Sequence, residues 1–256
     1  MAVTAKIEDR IGWITLDRPP ANSYDLELLE ELDEAIGQVA GAGVAVAVVR
    51  SANQRFFSAG ADVKGFLARS ADDNLAMCRR AHQVFNRFAA EAPVFIAAIA
   101  GHALGGGYEI ALACDIRVAA EGSYQLGLPE VTLGLLPGTG GTQRLPRLIG
   151  RGRALDLMTT GRTVTPEEAA RLGMVDRLVP AEALERVVGE LATGLARGAP
   201  LAIAAVKRAV HDGLERPLAD GLEVELAQVG PLFASEDARE GMTAFTEKRR
   251  ATFAGR

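Results

Sequence analysis

Continuous apolar runs, rich in β-branched residues, alternate with helical apolar stripes along the first half of the chain. The runs at 44–49 and 94–99 are typical of strands covered on both faces. The pattern of residues 7–16 favours a hairpin around a polar turn. Between them, apolar residues within 24–39 and 77–90 recur at helical spacing, with charged residues on the opposite face. This succession of strands and helices predicts an α/β fold.

Helical patterns dominate after residue 154. Thr165 and Pro166 stand where an N-cap and a first helical residue belong, Glu168 follows, and Gly173 marks the end of that helix. Further helices are expected over 154–160, 181–196, 200–212, 221–229 and 235–248, and a short strand over 175–179. The composition changes near residue 195 from mixed to helical, which predicts a core of residues 1–195 and a helical C-terminal region of residues 196–256.

Three adjacent glycines, Gly105 to Gly107, follow the apolar run at 94–99 and precede an apolar segment of helical length, 108–114. A glycine turn that opens a helix presents unpaired N–H groups and the positive end of the helix dipole, which is an anion-binding geometry. Glu109 lies in the first turn of this helix. It either complements the helix dipole or takes part in chemistry, because a buried carboxylate is rare unless it is paired or employed.

The charge balance and composition exclude several classes of protein. The chain has 256 residues and a net charge of −5, without a basic block, which argues against a nucleic-acid-binding surface. No N-terminal apolar region of a signal peptide is visible, and no stretch reaches the roughly 18 apolar residues of a membrane span, so we expect a cytoplasmic protein without a membrane partner. Cys78 and Cys114 fall in apolar helical stretches and are expected to be reduced core thiols.

Common nucleotide, metal and nucleophile motifs are missing. Neither a dinucleotide-binding G-x-G-x-x-G after a strand nor a P-loop occurs, and no metal site is expected from the spacing of His, Cys and carboxylates. Residues 56–60 are similar to a nucleophile elbow but begin with Phe56. The histidines His82 and His211 are interpreted as surface or structural residues, whereas His102, next to the glycine turn, is a weaker candidate for a site.

Four segments, in the same order and at similar spacing, resemble motifs of the enoyl-CoA hydratase/isomerase (crotonase) superfamily. Residues 58–64, expected to form a loop after a strand, resemble its first oxyanion segment, and 103–109 resemble the second. The other two are 127–130 and a second glycine-rich loop with its helix, 137–145. The similarity extends to 173–176 and 245–249, so it covers essentially the whole chain.

The resemblance implies a crotonase-like spiral of ββα units, with a C-terminal helical region that makes trimer contacts in a homotrimer or a dimer of trimers. It also implies an acyl-CoA thioester as substrate, with coenzyme A as part of that substrate and no separate cofactor. By motif position, the backbone N–H groups of Ala61 and Gly106 would form an oxyanion hole. Ala59, Ala61, Lys64 and Gly106 would line the coenzyme A side, and Lys248 could reach a neighbour's ligand.

Glu109 and Glu130 match the two glutamates of the hydratases in this superfamily. The implied reaction is addition of water across the 2,3 double bond of a 2-enoyl-CoA, with Glu130 as the acid for the α-carbon and Glu109 activating water. Two alternatives stay open: an isomerase, which needs only one acid/base, and a non-catalytic acyl-CoA-binding homologue. For Glu130 alone, a capping role after Pro129 is a further alternative.

Three departures from the family pattern bear on the acyl pocket and on the placement of Glu130. The segment before Glu130 is one residue longer, around 123–125, and we expect the surface to absorb this insertion. Tyr108 is bulkier than the usual residue, and 23–25 (Ser-Tyr-Asp) replaces apolar residues, so both are expected to narrow or polarise the pocket. Candidate pocket walls are Phe66, Leu67 and the segment 133–136.

Overall fold

In the computed structural model, which describes all 256 residues, nine strands form two sheets. The strands are β1 (Val3–Glu8), β2 (Ile11–Leu16), β3 (Val46–Ser51), β4 (Phe56–Ser58), β5 (Val94–Ile99), β6 (His102–Leu104), β7 (Ile116–Ala120), β8 (Leu126–Gly127) and β9 (Arg177–Val179). The larger sheet has the order β1-β2-β3-β5-β7-β9, and the smaller has the order β4-β6-β8. Only the β1–β2 hairpin is antiparallel.

Eleven helices accompany these sheets. They are α1 (Leu26–Gly41), α2 (Val63–Ala68), α3 (Ala71–Ala90), α4 (Gly106–Ala113), α5 (Gly141–Ile149), α6 (Arg151–Thr160), α7 (Pro166–Leu172), α8 (Leu184–Ala196), α9 (Pro200–Leu214), α10 (Leu218–Leu232) and α11 (Glu236–Glu247). Short 3-10 turns occupy Glu130–Leu133 and Ala181–Ala183.

The chain winds through the two sheets as a spiral. Strands β3, β5 and β7 lie side by side in the larger sheet, and each is followed by a short strand, β4, β6 or β8, that joins the smaller sheet. A helical segment then returns the chain to the larger sheet after β4 and after β6. The expected spiral of ββα units is therefore confirmed. This winding places the ends of β4, β6 and β8 next to one another, where the glycine-rich segments follow.

Strand β3 explains why the apolar runs are continuous rather than alternating. Val46 and Val48 pack on one side of the sheet with Ile96 and with residues of α8. Ala47 and Val49 belong to the large cluster on the other side, which includes residues of α1 and α3. Because both faces are covered, apolar residues are needed at successive positions.

Polar caps set several helix boundaries that the apolar pattern misplaces. Helix α3 begins at Ala71, earlier than the expected residue 77, because the Ser70 hydroxyl accepts a bond from the Asp73 N–H. The expectation of a loop over 58–64 is wrong at its last two residues, because Val63 and Lys64 open helix α2. It is a six-residue helix capped by the Asp62 carboxylate, too short to show an apolar period. The expected start of α7 at Thr165 and Pro166 is confirmed.

The C-terminal helices α9, α10 and α11 follow α8 after a short connection. Helix α9 is fixed to the core by Lys207, whose ammonium lies 2.5 Å from the carbonyl oxygens of both Phe88 and Pro93 and 2.9 Å from the Asp115 carboxylate. No single helix is long and apolar enough to cross a membrane. One bent pair of helical segments, Ala181–Ala196 with Pro200–Leu214, meets the requirements for a membrane span by length and composition only.

Candidate active site

The first two glycine-containing segments meet at the ends of β4 and β6. Gly60 has φ +90°, and a Cβ there would lie 2.9 Å from the Gly106 nitrogen and 2.8 Å from the Leu104 oxygen. Only glycine adopts this backbone conformation and allows this approach at low cost. The close contact brings the neighbouring residue Ala61 to the first turn of helix α4.

Two backbone N–H groups are left without partners at this junction. The backbone of Tyr24 accepts from the Asp62 N–H and donates to the Gly60 carbonyl, both at 2.9 Å, so it straddles Ala61 and leaves the Ala61 N–H unpaired. The Gly106 N–H is the first in α4, and the N-cap Gly105 offers no side chain to accept from it. Donors in this arrangement, with the positive end of the helix dipole, can bind an oxygen that carries negative charge.

Glu109 is 1% exposed and its carboxylate is held by the second glycine loop. Its Oε1 accepts from the N–H groups of Thr139 at 2.8 Å and Gly141 at 2.6 Å, and the Thr139 hydroxyl donates to Oε2. A Cβ at Gly141 would lie 3.0 Å from Oε1, so glycine leaves room for the carboxylate. A carboxylate is acceptor-only, so these three donors hold the Glu109 side chain as a hydrogen-bond acceptor. The side chain is engaged by this loop rather than only complementing the helix dipole.

The hydrogen bonding of the Glu130 carboxyl is unlike that of Glu109. It opens the 3-10 turn after Pro129, and a Cβ at Gly105 would lie 2.9 Å from its Oε1. Its Oε2 is buried without a hydrogen-bond partner. Burial, with a second contribution from the negative charge of Glu109, raises the pKa of Glu130 from 4.5 to about 7. Because Oε2 has no partner, the Glu130 carboxyl is available near neutral pH as a proton donor.

The two carboxyl groups are thus in different environments, and the negative charge of Glu109 acts on Glu130. Donors hold Glu109 as an acceptor, while burial keeps Glu130 protonated up to a pKa of about 7. Such a pair can take a proton on one side of a bound molecule and give one on the other, beside amides that bind an oxyanion.

Tyr108 does not narrow a pocket, contrary to expectation. It is completely buried in the main core, and its hydroxyl donates to the Met174 carbonyl at 2.8 Å. Asp25 is also used elsewhere, because it caps α1 and forms an ion pair with Arg18. Of the unusual segment 23–25, the residue that reaches the site is Tyr24, whose hydroxyl lies against Gly106 and 3.2 Å from the Thr139 hydroxyl oxygen.

The longer segment before Glu130 is only partly absorbed at the surface. Residues 121–123 are exposed, as expected, but Tyr124 is buried, and its hydroxyl lies 2.5 Å from the Ala120 carbonyl oxygen. Immediately afterwards, Leu126 pairs with Val164 and β8 pairs in parallel with β6. The insertion is therefore anchored in the core, and the chain reaches Glu130 in register with the glycine turn.

The proposed coenzyme A contacts occupy different environments. The Ala59 N–H already donates to the Ala21 carbonyl, so any contact from Ala59 must use other atoms. Lys64 is exposed in the first turn of α2, directly after the oxyanion segment. Lys248 is exposed at the end of α11, in a left-handed conformation with φ 56°. A ligand-binding role for these residues stays a prediction.

The candidate pocket walls differ in exposure. Leu67 is 86% exposed, and Leu133, Leu135 and Leu136 are each more than half exposed. Phe66 is half-buried and packs against the main core. Apolar side chains with this much free surface are consistent with walls for an acyl chain, and their role likewise stays a prediction.

Other candidate side chains have structural partners. Ser58, in the segment similar to a nucleophile elbow, is buried and donates to the Asn22 carbonyl at 2.8 Å. The His102 ring accepts from the Gln125 N–H at 3.0 Å and packs between aromatic rings. His82 lies 2.8 Å from the Gly138 carbonyl, and His211 lies 2.7 Å from the Asp115 carboxylate. None of them faces the unpaired amides as a nucleophile would.

The two thiols differ in their surroundings. Cys114 is buried, as expected, but Cys78 is only half-buried. Burial and the charge of Glu109 raise the pKa of Cys78, and its sulfur lies 3.5 Å from where a Gly138 Cβ would stand. Cys78 therefore lies next to the glycine loop that holds Glu109. Thr139 and Tyr24 also belong to the site, although the sequence assigned no site role to Thr139 and placed Tyr24 only by its departure from the family pattern.

Comparisons with known proteins agree along the whole chain. A family model described as enoyl-CoA hydratase/isomerase matches residues 6–256. The chain is 36% identical to the short-chain-enoyl-CoA hydratase of Clostridium acetobutylicum over 245 residues, 95% of this chain and 94% of the relative. It is 36% identical to the crotonyl-CoA hydratase of Syntrophomonas wolfei over 248 residues, 96% and 95% of the two chains. The crystal structure of an enoyl-CoA hydratase from Bacillus anthracis superposes with a TM-score of 0.96, at 37% identity and full coverage of both chains.

Proposed function

The chain belongs to the enoyl-CoA hydratase/isomerase family, and we propose that it adds water across the 2,3 double bond of 2-enoyl-CoA thioesters. The observation that carries this proposal is the pair of carboxyl groups beside two unpaired amides. Glu109 is hydrogen-bonded as an acceptor, whereas Oε2 of Glu130 has no partner and the pKa of this carboxyl is raised to about 7. Hydration needs one group that takes a proton and one that gives it, and this pair supplies both.

The unpaired N–H groups of Ala61 and Gly106 bind the thioester oxygen. As a nucleophile adds to C3, electrons move through the double bond to this oxygen and an enolate forms. Donors that are already oriented toward the developing charge are worth roughly 3–4 kcal/mol each. The glycine at 106 leaves room for the Tyr24 side chain behind this N–H, because a Cβ there would overlap the Tyr24 hydroxyl.

The carboxyl groups divide the proton transfers. Glu109 takes a proton from water as the water oxygen bonds to C3, and Glu130 gives its proton to C2 of the enolate. The substrate gains H and OH, and the enzyme returns to its starting state when the proton on Glu109 is passed back to Glu130. Each positioned acid or base typically contributes about 10²–10⁴-fold.

The remaining contacts extend the same proposal. Backbone groups of Ala59, with the ammonium groups of Lys64 and of Lys248 from a neighbouring copy, contact the coenzyme A portion. No separate cofactor takes part, because coenzyme A enters as part of the substrate. We keep the expectation of a cytoplasmic enzyme built from residues 1–195 as core and residues 196–256 as helical region.

A homotrimer or dimer of trimers would cover apolar surface on the C-terminal helices. Large apolar side chains there are more than half exposed in the single chain. They include Val206, Leu214, Leu218, Leu226, Phe233, Met242 and Phe245. Exposed apolar surface of this extent is typical of a protein–protein interface.

Hydration of crotonyl-CoA, followed by the loss of its enone absorbance, tests the proposal. The wild type is expected to turn over, and Glu109→Gln and Glu130→Gln are each expected to lose at least about 10²-fold in kcat. Glu121→Gln serves as the matched control, because Glu121 is exposed in the turn after β7. An inactive wild type that still binds acyl-CoA would favour a non-catalytic homologue.

The isomerase alternative makes a different prediction from the same variants. An isomerase moves one proton along the acyl chain, so a single carboxyl group is enough. It would convert a 3-enoyl-CoA to the 2-enoyl isomer, and Glu109→Gln would leave that activity intact. Loss of both activities in Glu109→Gln favours the hydratase.

A further inference from the structure

Tyr24 is a buried residue next to the unpaired amides. Its ring is 1% exposed, and its backbone straddles Ala61. The hydroxyl lies so close to the Gly106 backbone that a Cβ at residue 106 would overlap it. It also lies 3.2 Å from the hydroxyl oxygen of Thr139. Tyr24 therefore contacts both the oxyanion segment and the loop that holds Glu109.

The direction of the hydrogen bonds in this cluster follows from counting protons. Thr139 has one hydroxyl proton, and it is donated to Oε2 of Glu109, which as a carboxylate only accepts. The contact between Tyr24 and Thr139 must then have Tyr24 as donor. Burial and the charge of Glu109 raise the pKa of Tyr24, so the phenol keeps its proton.

We propose that Tyr24 is a positioning residue that acts through the Thr139 hydroxyl to hold the Glu109 carboxylate in place. The inference rests on the proposed function, in which Glu109 takes a proton from water. A donor to Thr139 polarises its hydroxyl and strengthens the bond that Thr139 gives to the carboxylate. Without the phenol, Glu109 keeps its two backbone donors but loses part of the third interaction.

Other charged and titratable groups also face Glu109. Its charge influences the pKa of Tyr24, Cys78 and Glu130, and that of the half-buried Arg144 guanidinium. Arg144 donates to the Thr139 carbonyl at 3.1 Å, so it supports the same loop from outside. None of these three other groups hydrogen-bonds to Glu109, and the Tyr24–Thr139 chain alone adds a side-chain donor.

Tyr24→Phe removes the hydroxyl and leaves the ring. It is expected to lower kcat about three- to tenfold with little change in KM. Weaker stabilisation of the charged form should also move the acid limb of the kcat profile to higher pH, by roughly half a pH unit to one. Thr139→Val should move the acid limb of the kcat profile to higher pH by at least as much. In Thr139→Ser, which keeps the hydroxyl, the acid limb should lie at the wild-type pH.

Two comparisons separate positioning from a general structural effect. Tyr24→Phe added to Thr139→Val should have no further effect on the acid limb, because Tyr24 acts through Thr139. Tyr108→Phe removes another buried tyrosine hydroxyl, one that bonds to Met174, and should leave the limb in place. An unchanged limb in Tyr24→Phe, or additive shifts in the double variant, would overturn the inference.

A measurement without substrate keeps this inference separate from the hydratase proposal. In protein labelled with ¹³C at glutamate carboxyl carbons, the Glu109 signal is identified by its loss in Glu109→Gln. Its titration should occur at higher pH in Tyr24→Phe than in the wild type and at the same pH in Tyr108→Phe. Equal titration in Tyr24→Phe and wild type refutes the role of Tyr24. A wild type without hydratase activity refutes the proposed reaction instead.

Discussion

Replacing Glu130 by Gln should stabilise the protein at neutral and alkaline pH while it abolishes activity. The folded environment raises the pKa of this carboxyl to about 7, mainly through burial, whereas the unfolded chain has its ordinary value of 4.5. Between these values the unfolded state releases the proton and the folded state retains it. The free energy of unfolding therefore falls as pH rises through this window.

The size of the effect follows from the two pKa values. The gap between 4.5 and about 7 corresponds to about 3 kcal/mol, at 1.36 kcal/mol for each tenfold step in the proton equilibrium. Glu130 is half-buried, so water reduces this figure, and we expect about 1–3 kcal/mol. Gln is neutral at every pH and avoids this cost. The stability of the variant relative to wild type should thus rise between pH 4.5 and 7 and then level off.

Urea unfolding from pH 4.5 to 9, at fixed protein concentration, measures this difference directly. Glu109→Gln is the matched control, because its carboxylate accepts three hydrogen bonds that an amide cannot fully replace. That variant should be destabilised. If the difference between Glu130→Gln and wild type were constant with pH, or fell as pH rises, the assignment of Glu130 as a buried proton donor would be wrong.

Two further substitutions test other parts of the structure. Gly106→Ala would place a Cβ on the Tyr24 hydroxyl, so it should lower the free energy of unfolding by about 1–3 kcal/mol and remove most of the hydratase activity. Gly189→Ala is the control, because the space around this residue of α8 is open, and it should retain activity and gain stability. Lys207→Met leaves Asp115 without its buried cation, so the free energy of unfolding measured in urea should fall by about 3–5 kcal/mol. A fall of less than about 1 kcal/mol would mean that Lys207 does not anchor α9.

The sequence predicts those parts of the fold that depend on local pattern. The buried runs at 44–49 and 94–99 and the cap at Thr165 are visible because each is set by neighbouring residues. Helix α2 escapes prediction because six residues around a capped turn show no apolar period. The start of α3 is missed for a related reason, since its first turn is polar and exposed.

The candidate site is predictable in its residue types but not in its contacts. Glu109 is conspicuous as a carboxylate in an apolar helix, yet its partner Thr139 lies 30 residues away and meets it only when the second glycine loop folds. The direction in which the Tyr108 side chain points depends on how helix α4 is rotated about its axis. This rotation turns the side chain toward Met174 and the core. The raised pKa of Glu130 depends on burial and on a distant charge, which no local pattern contains.

A crystal structure with butyryl-CoA, a saturated thioester that cannot be hydrated, tests the central claim most directly. The account predicts that the thioester oxygen lies about 2.7–3.1 Å from the backbone nitrogens of Ala61 and Gly106. It also predicts one water molecule shared by the carboxyl groups of Glu109 and Glu130 beside C2 and C3. A thioester oxygen bound away from both amides, or carboxyl groups too far apart to share a water, would contradict it.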